Sequence, residues 1–421
     1  MFSGNNIFKK FQNQNCSTFI YGVGACGRIL DKFCEDLDVR VQGFIDGNIK
    51  YDGNYVNGKK VIHHTKISKE HRDSIIVVSS NDIHDVVQLL IQNGVNENQI
   101  LPGGNLLQQI PKSFELEDIK YNEGDTASGF SSFAIDCTIL CHKAFESNDP
   151  LFIRSLDLVI TERCSMKCKD CSNLMQYFQN PVNYEAGQLL QNVKDLLNLI
   201  GFIPEIRIIG GEPFMNRNAC NIIQELIAEK RIHRIVVYTN GTIVPKKEDF
   251  IKIVNEKVVF MITDYSSCGL NAESDLTGRL VNNKKNTDKL EVLCLNHNLK
   301  YRRHPPENWT EAANIRNYWR TDDENQQIYD RCCCKNLYTL SEGEFHKCPF
   351  SAQMARLGKN NFINDFVTIT GSDLKDEVSE IAKLIKRNKF LQICGFCPGR
   401  SLSDPQIEPA IQIKDSLEIP C

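Results

Sequence analysis

Apolar and polar positions alternate along this chain in two blocks, each switching between a period of two and a period near 3.6. Thr18–Tyr21 is a short apolar run, followed by apolar positions Ile29, Leu30, Phe33 and Leu37 at helical spacing. A second strand-like run ends at Asp46, and a third strand (Ser74–Val78) precedes a helix (His84–Ile91). Short apolar runs bounded by turn signals predict buried strands, and i, i+3, i+4 spacing predicts amphipathic helices. The pattern resumes at residue 156 with LDLVIT, a helix from about Tyr184 to Ile200, EIRIIGG, a helix around Ile222–Ile227, RIVVYTNG and KVVFMITDY. Strands alternating with helices predict parallel βα units, in which the C-terminal strand ends build the working surface. Residues 106–150 between the blocks have weak periodicity and are expected to form a linker and lead-in. Within them, Cys137 and Cys141 flank Ile139 and Leu140, which predicts a buried strand carrying two core thiols rather than half a metal motif.

The turn after the first strand reads Gly22-x-Gly24-x-x-Gly27. Glycines there permit a tight turn and close backbone approach, and the helix that follows aims its N-terminus at an anion. Asp46 stands 19 residues beyond Gly27, where an acidic side chain would meet a ribose hydroxyl. Strand, turn, helix and strand together predict a small Rossmann-like domain over residues 1–105. Its glycines have two readings, a nucleotide or sugar-nucleotide site and plain helix–strand packing.

A chain of 421 residues corresponds to roughly two or three domains. Its net charge of −4, with no basic block, makes nucleic acid a poor partner. No apolar run reaches the ~18 residues of a membrane span, and the first residues lack a secretory h-region. A cytoplasmic protein is expected. The 18 cysteines change the picture. A disulfide scaffold belongs to small secreted domains, so clustered cysteines in a long chain point to metal or redox chemistry.

One cluster follows the LDLVIT strand: Cys164-x3-Cys168-x2-Cys171. Three thiolates on one short loop suit a [4Fe–4S] cluster whose fourth iron stays open. Zinc is the alternative, and it would need a fourth ligand; His142 is remote in sequence. The next strand ends in Gly210-Gly211-Glu212-Pro213, and the one after in Thr239-Asn240-Gly241. With these motifs in this order, residues 153–300 resemble the radical S-adenosylmethionine (radical SAM) superfamily. The resemblance implies a partial (β/α)6-type barrel core over residues 151–325, in an α/β chain. It implies that Cys164, Cys168 and Cys171 hold a [4Fe–4S] cluster whose open iron is chelated by SAM, and that reductive cleavage yields a 5′-deoxyadenosyl radical that abstracts a substrate hydrogen. The Gly210–Pro213 edge (Gly210, Gly211, Glu212, Pro213) would bind the SAM ammonium, and Thr239, Asn240, Thr263 and Asp264 would offer polar contacts to SAM or substrate. An electron donor of flavodoxin or ferredoxin type is implied. The position before the third cysteine, often aromatic in the family and near the adenine, is Asp170 here.

A second set comprises Cys332-Cys333-Cys334, then Gly343, Cys348, and Cys394-x2-Cys397 after a further 45 residues. A strand, a Gly turn and Cys348 predict a hairpin, and Val378–Ile385 predicts a helix. This arrangement resembles the twitch domain, a short relative of SPASM domains, placing a small α+β domain at residues 326–421. The resemblance implies an auxiliary [4Fe–4S] cluster held by Cys348, Cys394, Cys397 and one of the triplet, with family spacing favouring Cys332 or Cys333 over Cys334. Four thiolates suit structural zinc as well.

The VVFMITDYSSCG stretch and Trp309 are similar to twitch-bearing enzymes of sugars and aminocyclitols. That implies hydrogen abstraction from a carbohydrate-like substrate, nucleotide-activated in some cases, ending in oxidation (dehydrogenation) or epimerisation. Cys268 would be the hydrogen donor of an epimerase; a buried spectator thiol is the plainer reading. Arg302, Arg303 and His304 would meet phosphate or hydroxyls, with a solvated basic face as the default. The alternatives are a peptide-modifying maturase, a non-catalytic iron–sulfur redox protein, and an NAD-dependent dehydrogenase fused to a cluster domain.

Overall fold

The computed structural model describes residues 17–111, 113–121, 124–268, 276–307, 309–311, 313–359, 362–371, 374–401 and 404–419. The chain divides into two units, one of residues 1–119 with 129–149, the other of 120–128 with 150–421.

The first unit is a six-stranded sheet formed by β1 (Thr18–Tyr21), β2 (Val41–Asp46), β3 (Tyr55–Val56), β4 (Lys59–His63), β5 (Ile75–Val78) and β6 (Ile100–Pro102), in the order β3-β4-β2-β1-β5-β6. All neighbours are parallel except the β3–β4 pair. The apolar side chains of β1 and β5 and of the Ile83–Gln92 helix make one core. Residues 106–150 are not the expected linker. Phe130–Ser147 is an 18-residue helix of this unit, and Cys137 and Cys141, expected on a strand, lie buried one helical turn apart on it. The strand reading failed because a short apolar run, Ile139, Leu140 and Cys141, fits both periods. The two thiols are core residues, as expected.

The second unit is built on nine strands. They are β7 (Thr126–Ser128), β8 (Leu156–Thr161), β9 (Ile203–Gly210), β10 (Ile232–Thr239), β11 (Val258–Thr263), β12 (Lys300–His304), β13 (Tyr338–Ser341), β14 (Glu344–His346) and β15 (Phe366–Thr368). Their order is β15-β14-β13-β8-β9-β10-β11-β12-β7. Six neighbours, β13 through β12, run parallel; β7 closes one edge antiparallel, and β14 and β15 the other. The sixth parallel strand, β13, comes from the segment expected to be a separate twitch domain. Core and hairpin therefore share one sheet.

Period-two alternation divides this sheet chemically. Leu156, Leu158, Ile206, Ile208, Ile235, Val237, Phe260 and Ile262 pack under the Ala186–Ile200 and Ala219–Ala228 helices. The opposite face presents Asp157, Arg207, Ile209, Tyr238 and Thr263 to a cavity. Among the described residues, no helix is long and apolar enough to cross a membrane.

Candidate active site

The C-terminal ends of the parallel strands open into a cavity of about 370 Å3. Cys164, Cys168 and Cys171 line it from the loop after β8, Gly210 and Gly211 from the end of β9, and Thr239 and Asn240 from the end of β10. The three motifs distant in sequence thus meet at one place.

The glycines of GGEP are required by the backbone. Gly210 has φ +143, and a Cβ there would lie 2.1 Å from the Thr161 carbonyl oxygen. A Cβ on Gly211 would lie 2.1 Å from the Arg163 carbonyl oxygen and 2.9 Å from the Cys164 Cβ. The close approach lets the Gly211 N–H donate to Thr161 (3.0 Å) and the Glu212 N–H to Arg163 (2.8 Å), so the motif seats the cysteine loop.

Glu212 and Pro213, expected along the SAM-binding edge, do not line the cavity. The Glu212 carboxylate is fully buried and accepts from the Thr239 hydroxyl (2.8 Å) and the Asn240 N–H (2.8 Å), tying the end of β9 to that of β10. Burial pushes its pKa up to about 7 against the pull of those hydrogen bonds. Pro213 opens the short turn that follows. Thr239 Oγ1 is spent on Glu212, whereas the Asn240 side-chain amide faces the Cys164 sulfur at 3.6 Å. Thr263 lines the cavity, and Asp264 does not: its carboxylate is held by Arg303 (2.5 and 3.0 Å) and the Ser266 N–H.

Arg302 and Arg303 are not a solvated basic face. Both are buried, Arg302 against Asp125 and Glu307 and Arg303 against Asp264, Asp288 and Glu291. Their guanidinium charges are neutralised within the sheet edge. His304 Nδ1 donates to the Pro305 carbonyl and lies near Glu307. Cys268 is half-buried beside the Tyr265 turn and is not among the residues lining the cavity; burial raises its thiol to about 11.

His142 has both ring nitrogens engaged within its own unit. It lies buried in the first unit, its Nδ1 accepting from the Gly104 N–H (2.9 Å) and its Nε2 against the Ser80 carbonyl (2.9 Å). Among the described residues, no three His, Cys, Asp or Glu side chains converge on one point as single-ion ligands must.

The C-terminal cysteines form a second group. Cys348, Cys394 and Cys397 are buried in one core with Leu174, Tyr329 and Phe350. Of the triplet, Cys333 is exposed and Cys334 buried. Cys332 and Cys334 are both within electrostatic reach of Cys348, and Cys334 also of Cys397. Hydrogen bonds from its two neighbours and the Arg400 guanidinium hold the Cys334 thiol well below the usual range. Of the two favoured by family spacing, Cys333 is exposed and Cys332 half-buried, whereas Cys334 is buried like Cys348, Cys394 and Cys397. The neighbouring Arg400 donates to the Ser172 carbonyl at 2.7 Å and lies 3.8 Å from the Cys334 sulfur.

Sequence reasoning missed Asp157, Arg207, Tyr238 and Tyr265. Asp157 sits opposite Arg207 in register, and the two form a 2.5 Å ion pair in the cavity wall with Tyr238 beside it. Single polar letters at alternate positions in LDLVIT and EIRIIGG were the available signal. Tyr265 and Trp309 also line the cavity and meet edge to face, with ring centroids 6.2 Å apart.

Residues 158–293 match the radical SAM superfamily, and the chain carries a radical SAM domain. Residues 15–101 match a second family, described as C2185-like, N-terminal. A GTP 3′,8-cyclase of Clostridium acetobutylicum is 26% identical over 148 residues, which are 34% of this chain and 44% of that protein. A probable GTP 3′,8-cyclase of Methanocaldococcus jannaschii is 29% identical over 100 residues, 24% of this chain and 33% of its own. The chain thus spans less than half the length of these curated relatives. Among solved structures, BtrN in complex with AdoMet and 2-DOIA aligns over 62% of this chain and 99% of its own at 12% identity, TM-score 0.35.

A radical SAM domain implies a [4Fe–4S] cluster that binds SAM, and the residues present fit it. Burial raises the Cys168 thiol to about 12 and raises Cys164 and Cys171 as well, and metal binding would favour their thiolates. Main-chain N–H groups of Met166 face Cys164, and those of Asn173, Leu174 and Met175 face Cys171. Such donors stabilise cluster sulfurs. The three cysteines would hold three irons of such a cluster and leave the fourth for SAM.

Proposed function

We propose that this protein is a radical SAM enzyme that removes a hydrogen atom from a carbohydrate-like small molecule, leading to dehydrogenation or epimerisation. The observation that carries the reading is the Asp157–Arg207 pair beside Tyr238, in the wall of the cavity that the three cysteines share. Burying an ion pair is costly, and a sheet face meant only for packing would be apolar there. A carboxylate and a guanidinium side by side can accept from and donate to neighbouring hydroxyls, which suits a polyol or aminocyclitol. The names of the GTP 3′,8-cyclase relatives favour a nucleotide, and a nucleotide-activated sugar would satisfy both.

When bound, the cluster and SAM supply the deoxyadenosyl radical. Cys164, Cys168 and Cys171 would hold the cluster, and Gly210 and Gly211 would let SAM approach the backbone. Tyr265 and Trp309 would offer the aromatic surface for the adenine that Asp170 does not. Arg207 and Asp157 would orient the substrate carbon and keep bulk water from it. Cys334 or Cys332, with Cys348, Cys394 and Cys397, would hold an auxiliary cluster, the destination for a second electron if the product is a ketone. Cys268 remains the candidate hydrogen donor if the product is an epimer. In the first unit, Gly22, Gly24, Gly27 and Asp46 remain candidate holders of a nucleotide.

The test is transfer of deuterium into 5′-deoxyadenosine from deuterated sugars, aminocyclitols, nucleotide sugars and peptides. Transfer from a polyol, cut at least about tenfold by Arg207→Met with iron content retained, is expected. With the undeuterated substrate, a product two mass units lighter marks dehydrogenation, and a product one unit heavier at carbon in deuterium oxide marks epimerisation. Transfer only from peptide would replace this reading with a maturase, and no SAM cleavage with clusters intact would leave a redox protein.

A further inference from the structure

Residues 406–417 lie along the cysteine loop. The Ile407 N–H donates to the Trp309 carbonyl (3.0 Å), the Lys169 N–H to the Ile411 carbonyl (2.8 Å), and the Ile413 N–H to the Lys167 carbonyl (2.9 Å). Cys168 and Gln412 face each other as an antiparallel bridge. Lys167 Nζ reaches Ser416 Oγ at 3.0 Å, and the Leu417 N–H donates to the Gln176 carbonyl at 2.8 Å. The segment thus clamps the loop between the first and third cysteines.

At its centre, the Gln412 side chain is oriented at both ends. Its Oε1 accepts from the Lys167 N–H at 2.8 Å, and its Nε2 donates to the Ala410 carbonyl at 2.7 Å. An amide flip would set the amide nitrogen against an N–H and the oxygen against a carbonyl. The same Nε2 lies 3.1 Å from the Cys168 sulfur. Asn240 makes the longer counterpart to Cys164.

We propose that Gln412 is a positioning residue that donates a hydrogen bond to the ligating sulfur of Cys168 and thereby raises the reduction potential of the SAM-binding cluster. The inference rests on the reading of Cys164, Cys168 and Cys171 as the cluster ligands. Reduction adds negative charge to the iron–sulfur unit, and an N–H aimed at a ligand sulfur stabilises that charge. Hydrogen bonds to the sulfurs and solvent exposure are among the main controls of such potentials. The paired backbone around Gln412 holds the donor in place, so little reorganisation accompanies electron uptake.

The experiment is an anaerobic redox titration followed by electron paramagnetic resonance, on the full chain reconstituted with iron and sulfide. Wild type is compared with Gln412→Glu, which keeps the acceptor for Lys167 but loses the donor, and with Gln412→Leu, which loses both. With iron content intact, both variants are expected to weaken the one-electron reduction equilibrium about tenfold, a fall of about 59 mV. The signal that survives in Cys164→Ala/Cys168→Ala/Cys171→Ala should keep its potential. An unchanged potential in both variants, or loss of the iron from both, overturns the role of Gln412. A wild type whose every signal survives the triple substitution overturns the cluster reading and this inference together.

Discussion

Each unit of this protein carries a glycine turn at the end of a parallel strand, and the two turns do different work. In the first unit a Cβ on Gly27 would sit 1.9 Å from the Gly22 carbonyl oxygen, and one on Gly22 would sit 2.7 Å from Ser79 Oγ. Asp46 already accepts from the Val23 N–H (2.9 Å) and the Asn48 N–H (2.7 Å). Gly22 and Gly27 press against main chain and Ser79 of their own unit, and the acid secures the turn. In the second unit Gly210 and Gly211 are equally constrained, but what they press against is the loop that bears Cys164, Cys168 and Cys171. A glycine motif reports close backbone approach; the side chains across the gap determine whether chemistry follows.

The largest expected effect comes from removing those side chains. Cys164→Ala/Cys168→Ala/Cys171→Ala should lose about four irons per chain and all reductive formation of 5′-deoxyadenosine, with the C-terminal set still loaded. Iron counting and product chromatography decide it. Equal iron in wild type and variant would detach the loop from the cluster.

Gly211→Ala and Gly27→Ala test the comparison itself. The new methyl on Gly211 must displace Arg163 and Cys164, so iron at the loop site and deoxyadenosine formation should fall together, by about tenfold or more. Gly27→Ala should lower the unfolding temperature of the first unit, with an overpacking cost on the order of 1–3 kcal/mol. Iron content should stay at the wild-type level. Iron loss in Gly27→Ala, or none in Gly211→Ala, would break the distinction.

Much of this contrast was legible in the sequence. The strand–turn–helix context placed both turns, and cysteine spacing with GGEP and TNG placed the loop. What escaped notice depends on pairing across strands. Asp157 and Arg207 are 50 residues apart and become partners only through the β8–β9 register. Gln412 stands 244 residues from Cys168 and reaches it through an irregular segment with no periodicity to read. Arg302 and Arg303 looked solvated because the acids that neutralise them, Asp125, Asp264, Asp288 and Glu291, lie on other elements. The 130–147 helix was missed because buried polar residues, Ser131, Thr138 and His142, also interrupt the apolar spacing of its inner face.

The smallest effect separates the units by pH. His142 in the first unit is buried and neutral, its two ring nitrogens taken by Gly104 and Ser80, and burial lowers its pKa from 6.5 to about 4. A lowered pKa means the folded state resists protonation, so its contribution is present above pH 6.5 and is lost as pH falls towards 4. Glu212 in the second unit runs the other way. Its pKa rises from 4.5 to about 7, so its contribution is present below pH 4.5 and is lost as pH rises through 7. Other carboxylates titrate over the same range, so each group is isolated by difference against its own variant in thermal unfolding. The advantage of wild type over His142→Gln should shrink by on the order of 3 kcal/mol between pH 7 and pH 4, since one pKa unit corresponds to about 1.4 kcal/mol. The advantage over Glu212→Gln should shrink by a similar amount between pH 4.5 and pH 7. If both differences moved in the same direction with pH, Glu212 would have to be ionised and compensated in the fold. The tie between the ends of β9 and β10 would then be an ionic contact rather than a buried, neutral hydrogen bond.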